Sequence, residues 1–198
     1  SHQNAELGDV ILKTNDLSQT ADTPFGVDLK KINISVRAGE ILAIAGVAGN
    51  GQSELFSALS GERKNSDANS IVFNGESCGC CGINKRRLSG ASFMPEERIG
   101  HGAIAEFKLT DNVLLSRHAL SEGDGSESLL GAMGVINKDV LDKINVRVGK
   151  DYDVRKNVID PEAGSLSGGN LQKFVVGREM DRAPKVLIAN QPTWGVDA

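Results

Sequence analysis

Three short stretches of the sequence hold the residue types that could do chemistry on a phosphate. In the first, Gly46, Gly49, Asn50, Gly51, Gln52, Ser53 and Glu54 belong to the segment that follows the apolar run Ile41-Leu42-Ala43-Ile44-Ala45, which reads as a strand buried on both faces of a parallel sheet. Glycines at that spacing allow turns with positive φ and close backbone approach, so that successive N–H groups point inward at an anion. Ser53 is expected to open a helix with Leu55, Phe56 and Leu59 on one face and Gly61 at its end, and the dipole of that helix favours an anion in the loop. The spacing Gly46-x4-Gly51-x-Ser53 fits the phosphate-loop pattern G-x-x-x-x-G-K-[ST], except that Gln52 stands in the lysine position. A tight structural turn between strand and helix is the alternative reading of the same glycines.

The second stretch, Leu166-Ser167-Gly168-Gly169-Asn170, runs through Leu171, Gln172 and Lys173 into Phe174, Val175 and Arg178. A serine and two glycines at a helix start again favour an anion there. The third stretch follows Pro184, where Val186-Leu187-Ile188-Ala189 reads as a buried strand and Asn190-Gln191-Pro192-Thr193-Trp194-Gly195-Val196-Asp197 as the segment after it. Polar residues at the carboxyl end of such a strand lie beside a phosphate loop, where a magnesium site belongs.

These stretches need a sheet to position them. Val10 to Thr14 reads as a short strand, and Ile32, Ile34 and Val36 alternate with polar residues as a second, half-exposed one. With Ile71-Val72-Phe73, ending at Asn74-Gly75, they predict an antiparallel layer flanking the buried strand. Phe25 lies between the first two strands and is either an aromatic that stacks on adenine or a core or exposed loop residue. Ala91 to Met94 is a further strand stopped by Pro95, and Glu96 to Gly102 a polar loop. Asp111 is the expected cap of a helix through Asn112, Val113, Leu114 and Leu115; Asn137 is the expected cap of one striped with Val140, Leu141 and Ile144. Ser121 to Ser128, poor in apolar residues, reads as mobile. Leu109 to about Val148 is thus expected to be mostly helical, between two parts of an α/β core.

A chain of 198 residues suffices for one substantial core, or for a core with an inserted subdomain. Hydrophobic residues at 39% and charged residues at 24% describe a soluble globular protein, and a net charge of −4 argues against a nucleic-acid partner. No apolar run approaches the ~20 residues that span a bilayer, and no signal-peptide pattern opens the chain. Ser1-His2 in place of Met looks like the remnant of a removed tag, so a fragment of a longer polypeptide is expected. Cys78, Cys80 and Cys81 fall short of the four ligands of a usual zinc site, which leaves a glycine-rich surface loop in a reducing cytosol as the expectation.

In this order and spacing the three stretches resemble the nucleotide-binding domain of ABC transporters, over roughly Val10 to Ala198. Leu166 to Gln172 is similar to the family signature LSGGQ, with Asn170 at its last position; Val186 to Gln191 looks like Walker B, and Thr193 to Asp197 like the D-loop. Gly49 to Leu55, Pro95 to Arg98 with Gly100-His101-Gly102, and Ser167 to Lys173 resemble the second half of the tandem ATPases that drive bacterial uptake of simple sugars and nucleosides. The resemblance implies an α/β fold, a P-loop NTPase core of ABC type with an antiparallel β flank and an inserted helical subdomain. Residues 1–8 would be a tail, 9–102 the first part of the core, 103–180 the helical subdomain ending in the signature helix, and 181–198 the return to the core. The C-terminal part of the family domain would lie outside the chain. Implied cofactors are ATP and Mg2+. Implied partners are the first nucleotide-binding half of the same polypeptide, transmembrane permease subunits and, indirectly, a substrate-binding protein, at the cytoplasmic face of the cell membrane.

The sequence also departs from the family. The Walker A lysine that neutralises the β- and γ-phosphates, the Walker B aspartate that helps hold magnesium and the glutamate that polarises the attacking water are Gln52, Asn190 and Gln191 here. Amides donate and accept hydrogen bonds but serve neither as base nor as counter-charge. Glu96 takes the usual Q-loop glutamine position, either as an exposed polar residue or, beside Ser53, as a magnesium or transporter contact; Asp197 is the D-loop aspartate. The intact signature implies an asymmetric role, in which Leu166, Ser167, Gly168, Gly169 and Asn170 complete an ATP site whose charged residues belong to the other half. The alternative is a non-hydrolytic assembly or regulatory module with the same fold. A head domain of a chromosome-maintenance ATPase is disfavoured by the short helical insertion without heptads.

Overall fold

Alternation over Leu12, Lys13 and Thr14 marks β1 (Val10–Thr14), with Leu12 and Thr14 buried and Lys13 between them exposed. The computed structural model describes residues 6–117, 129–130 and 135–192, which divide into two units, residues 1–92 and 93–198.

In the first unit β1 pairs antiparallel with β4 (Ser35–Arg37) on one edge and β5 (Ile71–Phe73) on the other, and β6 (Glu76–Ser77) extends the sheet in the order β4-β1-β5-β6. Leu12 faces Val36 and Phe73 in this register, which gathers three buried side chains on one face. Asn74 and Gly75, with φ of 48° and 83°, make the tight turn between β5 and β6. β2 (Leu17–Gln19) and β3 (Leu29–Ile32) form a separate antiparallel pair. The expected strand through Ile32, Ile34 and Val36 is therefore two strands with different partners. Asn33 ends the first by donating to Lys31 O and Asp16 Oδ1. The glycine segment leads into α1 (Gln52–Ser60), which buries Phe56, Ala58 and Leu59 and ends at Gly61 with φ of 88°. α2 (Ile83–Leu88) follows β6.

One expectation fails outright. Residues 41–47 are neither a strand nor buried, and Ile41 is 95% exposed. A strand inside a parallel sheet takes hydrogen bonds from a neighbour on each edge, and neither sheet of the first unit includes this segment. An apolar composition without pairing partners leaves the backbone irregular.

Among the described residues, the second unit holds three further α-helices. α3 (Leu109–Arg117), α4 (Lys138–Asp151) and α5 (Gly168–Met180) pack on one another. Leu141, Ile144, Asn145 and Val148 of α4, and Leu171, Phe174, Val175 and Arg178 of α5, are buried at the i, i+3, i+4, i+7 spacing of one helical face. Asn137 caps α4 as expected, its side chain accepting from Val140 N. Asp111 does not cap α3. The helix begins at Leu109, and the carboxylate of Asp160 takes the Thr110 N–H at 3.0 Å and its hydroxyl at 2.7 Å. β7 (Ala91–Met94) and β8 (Val186–Ala189) form a two-stranded sheet. β8 is less buried than its composition suggests, since only Val186 is fully covered. The stretch Ser121 to Ser128 and the D-loop positions Thr193 to Asp197 lie outside the described residues. Among the described residues, no helix is long and apolar enough to cross a membrane.

Candidate functional site

The glycine loop turns on Gly49 and Gly51, with φ of 84° and 98°, and Gly51 is the residue before α1. Only glycine takes such angles without strain, and they let the loop present main-chain amides above the helix N-terminus. Gln52, in the lysine position, folds back over the loop. Its Oε1 accepts from Asn50 N–H at 3.1 Å and its Nε2 donates to Val47 O at 3.1 Å. A Cβ added to Gly46 would lie 2.5 Å from that Nε2, so Gly46 leaves room for the amide. The side chain thus occupies one loop donor and brings no charge. Ser53 is exposed at the first turn of α1. Glu54 points elsewhere: its Oε1 accepts from Val27 N at 3.0 Å and so ties the β2–β3 loop to α1. That loop carries Phe25, which is 96% exposed, so the core alternative for it is excluded.

Within the second unit, Glu96 joins the two degenerate acid positions. Its Oε1 accepts from Gln191 Nε2 at 2.9 Å, and its Oε2 lies 3.5 Å from Asn190 Nδ2. Asn190 is held at the strand end by its N–H, which donates to Met94 O at 2.9 Å. Gln191 has φ of 50°, a left-handed conformation that a side chain of this kind adopts reluctantly. Gln172 Nε2 donates to Pro192 O at 2.8 Å, which fastens this corner to α5.

Ser167 is the N-cap of α5. Its Oγ accepts from Asn170 N at 3.4 Å and from Asn170 Nδ2 at 2.9 Å, and Asn170 Oδ1 accepts from Arg155 N at 2.8 Å. Leu166, before the cap, packs against the helical core. Gly168 receives Arg98: Nη1 donates to Gly168 O at 2.9 Å, and a Cβ at Gly168 would come within 2.8 Å of it. Sequence reading set Arg98 apart only as a branch feature and missed this contact, which spans seventy residues of chain. Ser167, Gly168 and Gly169 remain at or near the surface.

The residues fit the two cofactors unequally. Gly49, Gly51 and the α1 N-terminus suit a polyphosphate through the main chain. Magnesium favours carboxylate oxygens, and the amides of Asn190 and Gln191, already donating to Glu96, offer none. Ser53 and Glu96 fall in different units. Among the described residues, no cluster of three or more His, Cys, Asp or Glu side chains is arranged to hold a metal ion.

The sequence pattern of the family described as ABC transporter matches residues 29–194. The chain is 40% identical over 169 residues to the guanosine import ATP-binding protein NupO of Bacillus subtilis, covering 85% of this chain and 32% of that protein. It is 31% identical over 190 residues to the ribose import ATP-binding protein RbsA of Halalkalibacterium halodurans, covering 96% of this chain and 35% of that one. The chain therefore spans about a third of the length of these relatives. Its backbone is similar to that of cbiO1 from Clostridium perfringens, part of an ABC transporter complex, at a TM-score of 0.65 and 24% identity over 96% of this chain and 68% of that one. A nucleotide-free ATP-binding cassette from an ABC transporter gives a TM-score of 0.71 at 20% identity, over 94% of this chain and 71% of that one. The fold is that of ABC ATPase cassettes, the P-loop NTPase type, and the chain belongs to the ABC transporter family as an ATP-binding domain resembling those of sugar and nucleoside importers.

Proposed function

We propose that this domain is the second nucleotide-binding half of a bacterial importer ATPase for simple sugars or nucleosides, and that it lends its signature helix to the ATP site of the other half without hydrolysing ATP at its own. The observation that carries this reading is the pairing of Glu96 with Asn190 and Gln191. The two positions that hold metal and activate water in the family are amides here, both spent as donors on one carboxylate. Neither can accept a proton from water at neutral pH. Bound ATP supplies the phosphoanhydride whose hydrolysis drives transport in the family. At the domain's own loop it would be held weakly, by main-chain amides, and the exposure of Phe25 is compatible with stacking on its adenine.

The signature keeps what the other end has lost. Ser167 and the first amides of α5 offer a hydroxyl and an N-terminal dipole at the surface, which suit the γ-phosphate of a nucleotide held by the partner half. The relatives named for guanosine and ribose import support a small polar cargo. Partners on this reading are the first half of the same polypeptide, permease subunits and, through them, a substrate-binding protein, with the domain at the cytoplasmic face of the membrane.

The test is Ser167→Arg in the full tandem protein. It should abolish ATP hydrolysis while leaving ATP binding to the isolated first half unchanged. Undiminished hydrolysis by a well-folded variant would give first place to the alternative, a non-hydrolytic assembly or regulatory module, which the self-closed Gln52 loop would equally suit.

A further inference from the structure

The Cys78-Gly79-Cys80-Cys81 turn takes no part in this function, yet it is held more tightly than a surface loop needs to be. Cys78 N donates to Ile71 O at 2.7 Å, and Cys81 N donates to Cys78 O at 3.0 Å, closing a four-residue turn. Gly79 is wedged in place: a Cβ there would lie 2.0 Å from Asp67 O and 2.5 Å from Ser70 Oγ. Its N–H donates to Ala68 O at 2.8 Å and its carbonyl accepts from Asn65 N at 2.9 Å. Such a turn keeps its end Cα atoms within about 7 Å. Disulfides span roughly 4.4–6.8 Å between Cα atoms.

The three thiols are not equivalent. Cys78 is fully buried, with Ser89 Oγ at 3.8 Å and the Cys81 thiol as a further hydrogen-bonding neighbour. Burial pushes its thiol pKa up and keeps it protonated. Cys81 is half-buried, whereas Cys80 is exposed with its Sγ donating to Ser66 O at 3.3 Å. Oxidants therefore reach Cys81 as well as Cys80, and it is the Cys81 thiol that neighbours Cys78.

The turn is also wired to α1. Arg86 is fully buried, and its guanidinium donates to Gly79 O at 3.1 Å and Cys81 O at 3.0 Å on one side. On the other it donates to Ala58 O and, at 2.7 Å, to Leu59 O, carbonyls of the last turn of α1. One side chain thus reads the shape of the cysteine turn and caps the far end of the helix that follows the glycine loop.

We propose that Cys78 and Cys81 are a thiol–disulfide modification site, oxidised by low-molecular-weight disulfides and coupled through Arg86 to the end of α1. The Cys81 thiolate attacks one sulfur of the small disulfide RSSR, the S–S bond breaks, and the leaving thiolate takes up a proton as RSH. Cys78 then gives up its proton, attacks the Cys81 sulfur and expels the second RSH. The protein loses two hydrogens and two electrons, and RSSR becomes two RSH. In a reducing cytosol the same exchange runs backwards, which makes the bond reversible.

The experiment treats the 198-residue chain with oxidised glutathione, maps peptides by mass spectrometry and follows amide hydrogen exchange in α1. The chain and Cys80→Ser should each lose two hydrogens within the peptide holding residues 78–81. Cys78→Ser should instead retain glutathione on Cys81, since the thiol that would displace it is gone. Exchange at the last turn of α1, where Gly61 N donates to Ser57 O, should quicken roughly tenfold on oxidation as the carbonyls of the turn shift away from Arg86. Glutathione on all three thiols without an internal bond, or a bond that needs Cys80, would overturn the site. An internal bond that leaves exchange in α1 unchanged would overturn the coupling.

Discussion

The starts of α1 and α5 are both glycine-rich and both present a helix N-terminus, but their side chains are organised to opposite effect. At α1 the loop is exposed, Gly51 caps without a side-chain bond, and Gln52 turns inward to close the loop on itself. At α5 the cap is a serine, Asn170 and Arg155 brace it from behind, and Arg98 reaches across to the first carbonyl. One site has spent its polar groups on itself, while the other is braced from behind and faces outward. Local glycine chemistry is the same in both, so it cannot decide function. What decides it is whether the neighbouring side chains leave the helix end available.

The largest expected effect probes how α5 is anchored at its far end. The Asp181 side chain, 8% exposed there, accepts from Arg117 Nη2 at 2.6 Å and Arg147 Nε at 2.5 Å. Asp181→Ala would leave the buried Arg117 without this carboxylate and should cost about 3–5 kcal/mol of unfolding free energy. Urea denaturation with an unchanged slope would read this directly. A loss below about 1 kcal/mol, the size of an exposed ion pair, would mean that α5 is anchored by other contacts.

The same group gives the second effect. Burial alone would raise the Asp181 pKa, but hydrogen bonds from Arg147 and Arg117 and the charges of both outweigh it and hold the carboxyl below its usual range. A depressed folded-state pKa means that the unfolded chain binds the proton first. The stabilisation is therefore present above the unfolded value, about 4, and is lost as pH falls through the folded one. The urea midpoint should hold near neutral pH and drop below about pH 4, and Asp181→Asn should flatten that drop. A midpoint as acid-sensitive in Asp181→Asn as in the parent would place the responsible carboxylate elsewhere.

Which parts of this were legible in the sequence follows from the range of the interactions. β1, β5 and β7, the Asn137 cap and the buried stripes of α4 and α5 depend on neighbours within a few residues, and periodicity reveals them. The glycine turn before α1 and the serine cap of α5 are local in the same way. The Asp160 cap of α3, the Arg98 contact and the Glu96 clamp each join residues fifty or more positions apart, so no local pattern contains them. The apolar run at residues 41–45 failed the other way. Its composition was clear, but a strand is a relation between segments, and among the described residues of the first unit none is paired with it.

A sharper test of the contrast is Gln52→Lys. A lysine returns the missing counter-charge, and at ~4 Å from a phosphate the upper limit of the gain is about 4 kcal/mol at an effective dielectric of ~20. The loop is exposed, so solvent and salt will screen most of it. ATP affinity measured by calorimetry should rise about tenfold, or about 1.4 kcal/mol. Turnover should remain at background, because Asn190 and Gln191 still supply no acid or base. Unchanged affinity would show that the side chain at position 52 does not face bound phosphate. Restored hydrolysis would remove the basis for calling this loop inactive.

The smallest effect separates helix start from site at Ser167. Cap serines replaced by alanine cost about 0.5–2 kcal/mol. Here the capping bond to Asn170 N is long, at 3.4 Å, and the shorter one, at 2.9 Å, goes to the Asn170 side chain. Asn170 also keeps its bond from Arg155 N at 2.8 Å when Ser167 is truncated. The loss should therefore sit at the low end, about 0.5 kcal/mol, with the start of α5 unmoved. If the serine served only as a cap, ATP hydrolysis by the proposed tandem protein would then be unchanged. If its hydroxyl meets the partner's nucleotide in the transition state, Ser167→Ala should slow hydrolysis about tenfold or more at nearly unaltered stability. Measuring both in one variant tells the two roles apart, because a half-kilocalorie of folding free energy cannot produce a tenfold loss in a domain that stays folded.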